Sequence, residues 1–454
     1  MSFAAVSTVG DQQLGEFLKI ISRGVVYNNL NEDAIVWEMI KKMKKGPIEG
    51  REQRFLVRSA YGDDAVAFVP PSGDYPDADQ STVVEGVTRY KDFALTIDVE
   101  RSLIEKAKSD FSKYGDLLKE EIRAKTVAMS RMLSGAVYAD GTGVIAQALD
   151  AGSISSGKTI FNVSGAYNAR GFIGWVGKKA KLVPKNADGT AAAPTVASGT
   201  FSYYLVDAID RKAGTLTLIA KDAAHATLTV QTSTGLTAGD VLYKKNAGTF
   251  NDLTAISTND YNTISNYFVG LDSLTANDSR KVNGITLNTD LGGTINDLEG
   301  GNLNPMAFQE LMSDIMIAVG QGRYKYNRAL MSWGAMNALT EEREVDRRFD
   351  TVKDGIRGVE GIGYQFGKQA LMFEADEFCP DQRIYVLPQS DVLQFYGSDF
   401  QFVNPQGGNG EHFILKNAST GQGHARSNRG YMEGNAALQC VHAPALGVIK
   451  NFVI

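Results

Sequence analysis

Between residues 151 and 300 the chain holds 19 threonines and a single glutamate, Glu299, whereas the other 304 residues hold 9 threonines and 19 glutamates. The β-branched threonine side chain suits a pleated strand, and glutamate is depleted from sheets. A shift this abrupt predicts a β-rich unit set into a mixed α/β frame. Within it, Thr200-Phe-Ser-Tyr-Tyr-Leu-Val-Asp207 and Thr215-Leu-Thr-Leu-Ile-Ala220 flank Arg211-Lys-Ala-Gly214, a hairpin signal with glycine at the turn. Residues 226–231 and 240–244 repeat the strand and turn rhythm, and Gly292-Gly293 and Gly300-Gly301 mark the exit.

The flanks read differently. Residues 28–45 have the spacing of a helix, with Ile35, Met39, Ile40 and Met43 on one side and Gly46-Pro47 as the stop. Two extended runs, 55–60 and 65–69, lead out, and residues 88–98 lead back. Between them Pro70-Pro-Ser-Gly-Asp-Tyr-Pro-Asp-Ala-Asp79 reads as the tip of a long loop. The strongest helix covers 116–138. Asp116 is its N-cap candidate, Leu118, Ile122, Met129, Leu133 and Ala136 form its apolar stripe, and Asp140-Gly-Thr-Gly143 forms the turn after it. Asn304-Pro305 starts another helix with its stripe at Phe308, Leu311, Met312, Ile315 and Val319, closed by Gly320. A strand and a short helix follow over 328–340. Strand-like runs broken by Pro380 and Pro388 fill 364–403, and the tail from 431 to 453 is extended.

The chain offers little for catalysis. It has no Walker glycine loop, no Gly-x-Gly-x-x-Gly after a strand and no Gly-x-Ser-x-Gly elbow. Of the 4 histidines, His412, His424 and His442 share the C-terminal quarter with Cys379 and Cys440, which permits a metal site on ligand type alone. Their spacing fits no compact metal motif, so ordinary core and surface roles are the expectation, with neither cofactor nor metal. With 46 basic and 52 acidic side chains, the formal charge of -6 argues against a surface that grips nucleic acid all over. Lys41, Lys42, Lys44 and Lys45 form the one dense basic run; it suits a solvated helix end or contact with a polyanion. Arg343, Arg347 and Arg348 are interleaved with acids, as in an interface of ion pairs. The N-terminus lacks the pattern of a signal peptide, and no window of about 18 apolar residues suggests a membrane span, so synthesis in the cytoplasm is expected. A two-stranded arm alone is marginal, which makes the excursion over 49–98 a sign of assembly on a neighbouring copy.

The order of these pieces, helical arm, long two-stranded loop, long helix, Asp140-Gly-Thr-Gly143 and a mixed sheet domain, resembles the major capsid proteins of tailed bacteriophages. These share the Hong Kong 97-like shell fold with encapsulins. Arg328-Ala-Leu-Met-Ser-Trp-Gly-Ala-Met-Asn-Ala-Leu339, Asp376-Glu-Phe-Cys-Pro-Asp-Gln-Arg-Ile-Tyr-Val-Leu387 and Pro444-Ala-Leu-Gly-Val-Ile449 look like later elements of that family. The resemblance implies an α+β fold with an N-terminal arm (1–48), an extended β-hairpin loop (49–98) and a peripheral domain with a spine helix (99–150). An inserted β-rich domain (151–303) and an axial domain (304–375) would follow, and 376–454 would complete the axial domain and return to the peripheral one.

It also implies a non-catalytic major capsid protein of the virion, made and assembled in the bacterial cytoplasm. Its copies would form hexamers, and pentamers if vertices use the same chain, of an icosahedral shell around double-stranded DNA. Separate scaffolding, portal and decoration proteins are the further partners. No scaffold-like segment precedes the arm, so scaffolding would come from a separate protein or from a prodomain already removed. The tip over 70–87 has no lysine, so the family's covalent loop crosslink is not expected. Expected inter-subunit residues are Phe68, Asp74, Asp77, Asp79, Glu85 and Phe93 on the loop, with Arg343, Arg347 and Arg348 as basic partners. Lys41, Lys42, Lys44 and Lys45 would face inward or between subunits. An encapsulin-like cargo compartment is the first alternative, and a metal-dependent enzyme using the three C-terminal histidines is the second.

Overall fold

The computed structural model describes residues 44–46, 52–59, 81–100, 111–163, 179–186, 192–210, 213–244, 267, 269–288, 291–320, 323–346, 351–352, 361–366, 369–389, 392–403, 413–417 and 424–453. The elements of the first part are β1 (Lys44–Gly46), β2 (Glu52–Arg58), β3 (Val83–Arg89), β4 (Lys91–Glu100) and helix α1 (Phe111–Tyr138). Next come β5 (Ala146–Gln147), β6 (Ser153–Ser155), β7 (Lys158–Asn162), β8 (Lys181–Lys185), β9 (Tyr203–Asp210), β10 (Thr215–Lys221), β11 (Thr227–Leu228) and β12 (Val241–Lys244). The short helix α2 (Leu271–Leu274), β13 (Lys281–Val282), β14 (Ile285–Thr286), β15 (Thr294–Asp297), α3 (Pro305–Val319), β16 (Tyr326–Met331) and α4 (Trp333–Asp346) follow. The chain continues with β17 (Thr351–Val352), β18 (Gly361–Phe366), β19 (Gln369–Ala375), β20 (Arg383–Pro388), β21 (Leu393–Val403), β22 (Phe413–Asn417), β23 (His424–Cys440) and β24 (Gly447–Lys450).

The chain forms two compact units. One includes Lys91–Ser134 and Gly397–Ala436. Here β4 runs antiparallel to β23, from Lys91 opposite Ala436 to Glu100 opposite Ser427, and β22 also pairs with β23. Ile97 and Met432 are buried in this unit, as are Met129 and Leu133 from the expected stripe of α1. The helix begins at Phe111, so Asp116 lies inside it and is not its N-cap. Phe111 and Tyr114 extend the apolar spacing backwards, and the helix carries Gly115 at a cost of about 1 kcal/mol relative to alanine.

The other unit includes Met43–Tyr90, Gly135–Tyr396 and Ala437–Ile454. Its central sheet has the order β15-β24-β20-β16-β19-β18-β17. Pairs β15–β24 and β16–β19 are parallel, and the rest are antiparallel. Helix α3 packs on this sheet. Asn304 caps it by accepting the Ala307 N–H at 2.9 Å, Pro305 occupies its first turn and Gly320 ends it with φ 92°. All five residues of its expected stripe are buried, and Ile315 and Leu311 lie against Gly447 of β24.

The threonine-rich stretch forms a sheet of order β5-β12-β8-β9-β10-β7-β6, with β11 on β10. The predicted hairpin is present: β9 and β10 pair from Asp210 opposite Thr215, with Gly214 at φ 69°. The sheet closes on itself. Ala148 bridges Val163, and the Leu149 N–H donates to the Asn162 carbonyl at 2.9 Å, joining β5 to the end of β7. Phe161, Leu182, Tyr204, Val206, Leu216, Leu218 and Ala220 fill the resulting small barrel.

The barrel's entry and exit meet. A Cβ on Gly143 would lie 2.4 Å from the Tyr267 ring, and one on Gly270 would lie 2.2 Å from the Ala139 carbonyl. The sheets do not follow the bounds 151 and 303. The sheet starts at β5, ahead of 151, and β15 belongs to the central sheet, because its backbone pairs with β24. Composition misled there: the stretch after 267 is threonine-rich and strand-forming, yet its partners lie outside the barrel.

Two further expectations are corrected. Lys44–Gly46 is a strand parallel to the start of β21, so pairing overrides the helical spacing at the end of 28–45; residues 28–43 lie outside the described residues. The returning run of the long loop is two strands in two sheets: β3 pairs with β2, and β4 pairs with β23. Val83, Val84 and Val87, which the sequence reading left in the tip, supply the β-branched residues of β3.

Candidate inter-subunit surface

Strands β2 and β3 pair over seven residues, from Glu52 opposite Arg89 to Arg58 opposite Val83. Side chains alternate across such a ribbon. Phe55, Val57, Val84, Gly86 and Thr88 share one face; Arg54, Leu56, Arg58, Val83 and Glu85 share the other.

The first face docks on its own chain. Phe55 and Val57 line a crevice with Leu274, Ile285, Leu287 and Val441, and the Val87 N–H donates to the Asn283 carbonyl at 2.7 Å. The turn that supplies this carbonyl needs Gly284, whose φ is 83°. Gly86 lies under the Phe55 ring directly across the ladder, where a Cβ would approach Cζ to 2.4 Å.

The second face has ion pairs and bare apolar groups. Arg54 Nη1 lies 3.1 Å from Glu85 Oε1, and Arg89 Nη2 lies 2.7 Å from Glu52 Oε1. Exposed pairs of this kind contribute at most about 1 kcal/mol each. Leu56 is 68 % exposed and Val83 45 %.

Glu85 is thus in mid-strand, paired within its own hairpin, and does not sit at the loop tip. Phe93 is not on the hairpin at all. It lies on β4 opposite Gly434, and a Cβ there would approach its ring to 2.7 Å, so Phe93 covers a glycine of its own sheet. Arg343 lies in α4, and Lys44 and Lys45 on β1. Phe68, Asp74, Asp77, Asp79, Arg347, Arg348, Lys41 and Lys42 lie outside the described residues.

Leu56 was missed although alternation alone sets it opposite Phe55 and Val57. Ile317, 81 % exposed, and Met306 were also missed; both fall off the buried stripe of α3. His412 lies outside the described residues, and no group of three His, Cys, Asp or Glu side chains among those described is placed to hold a metal ion.

No protein-family model matches the sequence, and no curated protein does. Solved structures are similar in fold. The cyanophage A-1(L) capsid asymmetric unit is 11 % identical with a TM-score of 0.47, over 91 % of this chain and 92 % of that one. The capsid of the native GTA particle is 9 % identical with a TM-score of 0.42, over 91 % and 90 %. The holo-SrpI encapsulin of Synechococcus elongatus is 10 % identical with a TM-score of 0.37, over 93 % and 89 %.

Proposed function

We propose that this chain is the major capsid protein of a tailed bacteriophage, a structural subunit whose copies build an icosahedral head around double-stranded DNA. The carrying observation is the hairpin β2–β3. Its own chain covers one face, while the other holds Leu56 and Val83 in solvent, in a two-stranded ribbon that gains stability by lying on something more. A second copy of the chain is that surface. Apolar contact at Leu56 and Val83 supplies most of the binding, and charge sets the register.

On this reading, residues 60–80 reach the neighbouring copy, where Asp74, Asp77 and Asp79 meet Arg343, Arg347 and Arg348. Lys41, Lys42, Lys44 and Lys45 face the packaged DNA or a neighbouring arm. Phe68 joins the apolar contact. Scaffolding, portal and decoration proteins are the other partners, and the finished protein resides in the virion. The insertion, redrawn as residues 145–266, hangs from the subunit at Gly143 and Tyr267.

The test is electron microscopy of the expressed full chain, alone and with a scaffolding protein from the same source. Closed shells of uniform size from the unaltered chain, and their loss in Leu56→Asp/Val83→Asp with folding retained, support the reading. Small discrete oligomers under both conditions overturn it. Shells that carry a host enzyme in place of DNA reassign the chain to the cargo compartments.

A further inference from the structure

The end of α1 holds a buried acid that the assembly surface does not use. Asp376 follows β19, is 4 % exposed, and donates its N–H to the Met331 carbonyl at 2.8 Å. Its Oδ1 accepts the Phe378 N–H at 2.9 Å, and its Oδ2 accepts the hydroxyl of Tyr138, the last residue of α1, at 3.0 Å. Tyr138 is fully buried and lies against Tyr385 of β20, with ring centroids 5.7 Å apart. We propose that the buried Tyr138–Asp376 contact is a proton-operated latch: the fold that joins the end of the long helix to the loop after β19 gains stability, relative to the unfolded chain, once Asp376 takes up a proton in mildly acidic solution and its buried charge is removed.

The surroundings explain the direction. Glu374 on β19 and Glu377 beside Asp376 oppose its negative charge, and the same loop carries Asp381 and Cys379. Asp140 lies in the turn after α1. The cations nearby serve other acids: Arg383 of β20 pairs with Asp272, and Arg328 of β16 lies 3.6 Å from Glu374. Two hydrogen bonds are thus the local compensation for an ionised carboxylate. Burial pushes the Asp376 carboxyl up to about 6, against the hydrogen bonds from Phe378 and Tyr138, which favour the ionised form. Burial also holds the Tyr138 hydroxyl well above its ordinary value, with the Asp376 charge adding to this, so the tyrosine remains the donor at neutral pH.

The sign follows from linkage. An unfolded aspartate titrates near 3.8, so the folded chain binds this proton roughly 100-fold more tightly. Between those values the folded state holds more protons than the unfolded one. Its contribution to stability therefore rises as pH falls from about 7 towards 4, and it is lost as pH rises through about 6. Asp278 and Asp297 act in the opposite sense. Both carboxyls are held below the ordinary value, by Arg280 for Asp278 and by the Glu299 N–H, Asn451 and Lys450 for Asp297, against the upward push of burial. The latch is accordingly read as a difference between variants. It belongs to the folded chain whether or not copies assemble.

The experiment measures the unfolding midpoint of the full chain from pH 4.5 to 8 for the unaltered protein, Asp376→Asn and Tyr138→Phe. Asparagine imitates the protonated acid, so Asp376→Asn gains on the unaltered chain as pH rises through about 6. Tyr138→Phe removes a donor that favours the ionised acid, so its transition moves to higher pH. A gap between Asp376→Asn and the unaltered chain that stays constant across the range overturns the latch, because a purely structural loss carries no proton dependence. If the asparagine variant fails to fold, an unmoved transition in Tyr138→Phe overturns it alone.

Discussion

Gly447→Ala tests the packing of α3 on the central sheet. A Cβ at Gly447 would lie 2.6 Å from Ile315 Cδ1, and 3.1 Å and 3.3 Å from the two Leu311 methyl carbons. Ile315 and Leu311 are both fully buried, so neither methyl end can turn away into solvent. Overpacking of this kind costs about 1–3 kcal/mol. Ile315→Val removes the offending Cδ1 and alone costs about 0.5–1.5 kcal/mol. In the double variant the clash and the vacated space cancel, so its loss falls at least about 1 kcal/mol short of the sum of the two single losses. Urea unfolding at pH 7 of the four chains, followed by circular dichroism with a common slope, measures each difference. Losses that add to within about 0.5 kcal/mol would show that Gly447 and Ile315 do not share this space, and the account of the α3–β24 contact would fail.

Replacing residues 145–266 by a short Gly/Ser link should leave the main unfolding transition within a few degrees, because Gly143 and Tyr267 already touch. A deletion carried on to residue 300 also removes β15 and should abolish cooperative unfolding; equal stability of the two deletions contradicts the placement of β15. Phe93→Ala should lower the unfolding free energy of the isolated chain by about 1–3 kcal/mol in urea titration, since the ring covers Gly434. An effect seen only in assembled shells would return Phe93 to the interface. Asn304→Ala should cost about 0.5–2 kcal/mol through the lost cap of α3, as measured by thermal unfolding, and Asn304→Asp should retain most of it.

The helices were the most legible part of the sequence, because their signals are local. Asn304, Pro305 and Gly320 mark α3 at both ends, and its five-residue stripe is the buried one. The β9–β10 hairpin was legible for the same reason, since its turn and both strands lie within twenty residues. Pairings over long separations were not. Residues 83–100 read as one returning run because nothing local at Tyr90 reveals that β3 pairs back with β2, Glu85 opposite Leu56, while β4 pairs with β23 more than 300 residues on. The candidate surface suffered accordingly. Apolar residues over 49–98 were assigned to a neighbour, whereas Val57 and Ile97 are buried on their own chain. Leu56 and Val83, on the opposite face, become visible only once the register of the ribbon is known.

Barrel closure has a consequence for how this chain can meet other chains. An open sheet of seven or eight strands carries, on its outermost strands, rows of unpaired N–H and C=O groups onto which another chain can add. With β5 joined to the end of β7, the main circuit of the barrel presents no such row among the described residues, and β6 and β11, of three and two residues, are too short to template one. Copies held at high local concentration can therefore carry this threonine-rich, strongly β-forming segment without knitting together through it. Growth by indefinite strand addition is thereby closed off at the barrel.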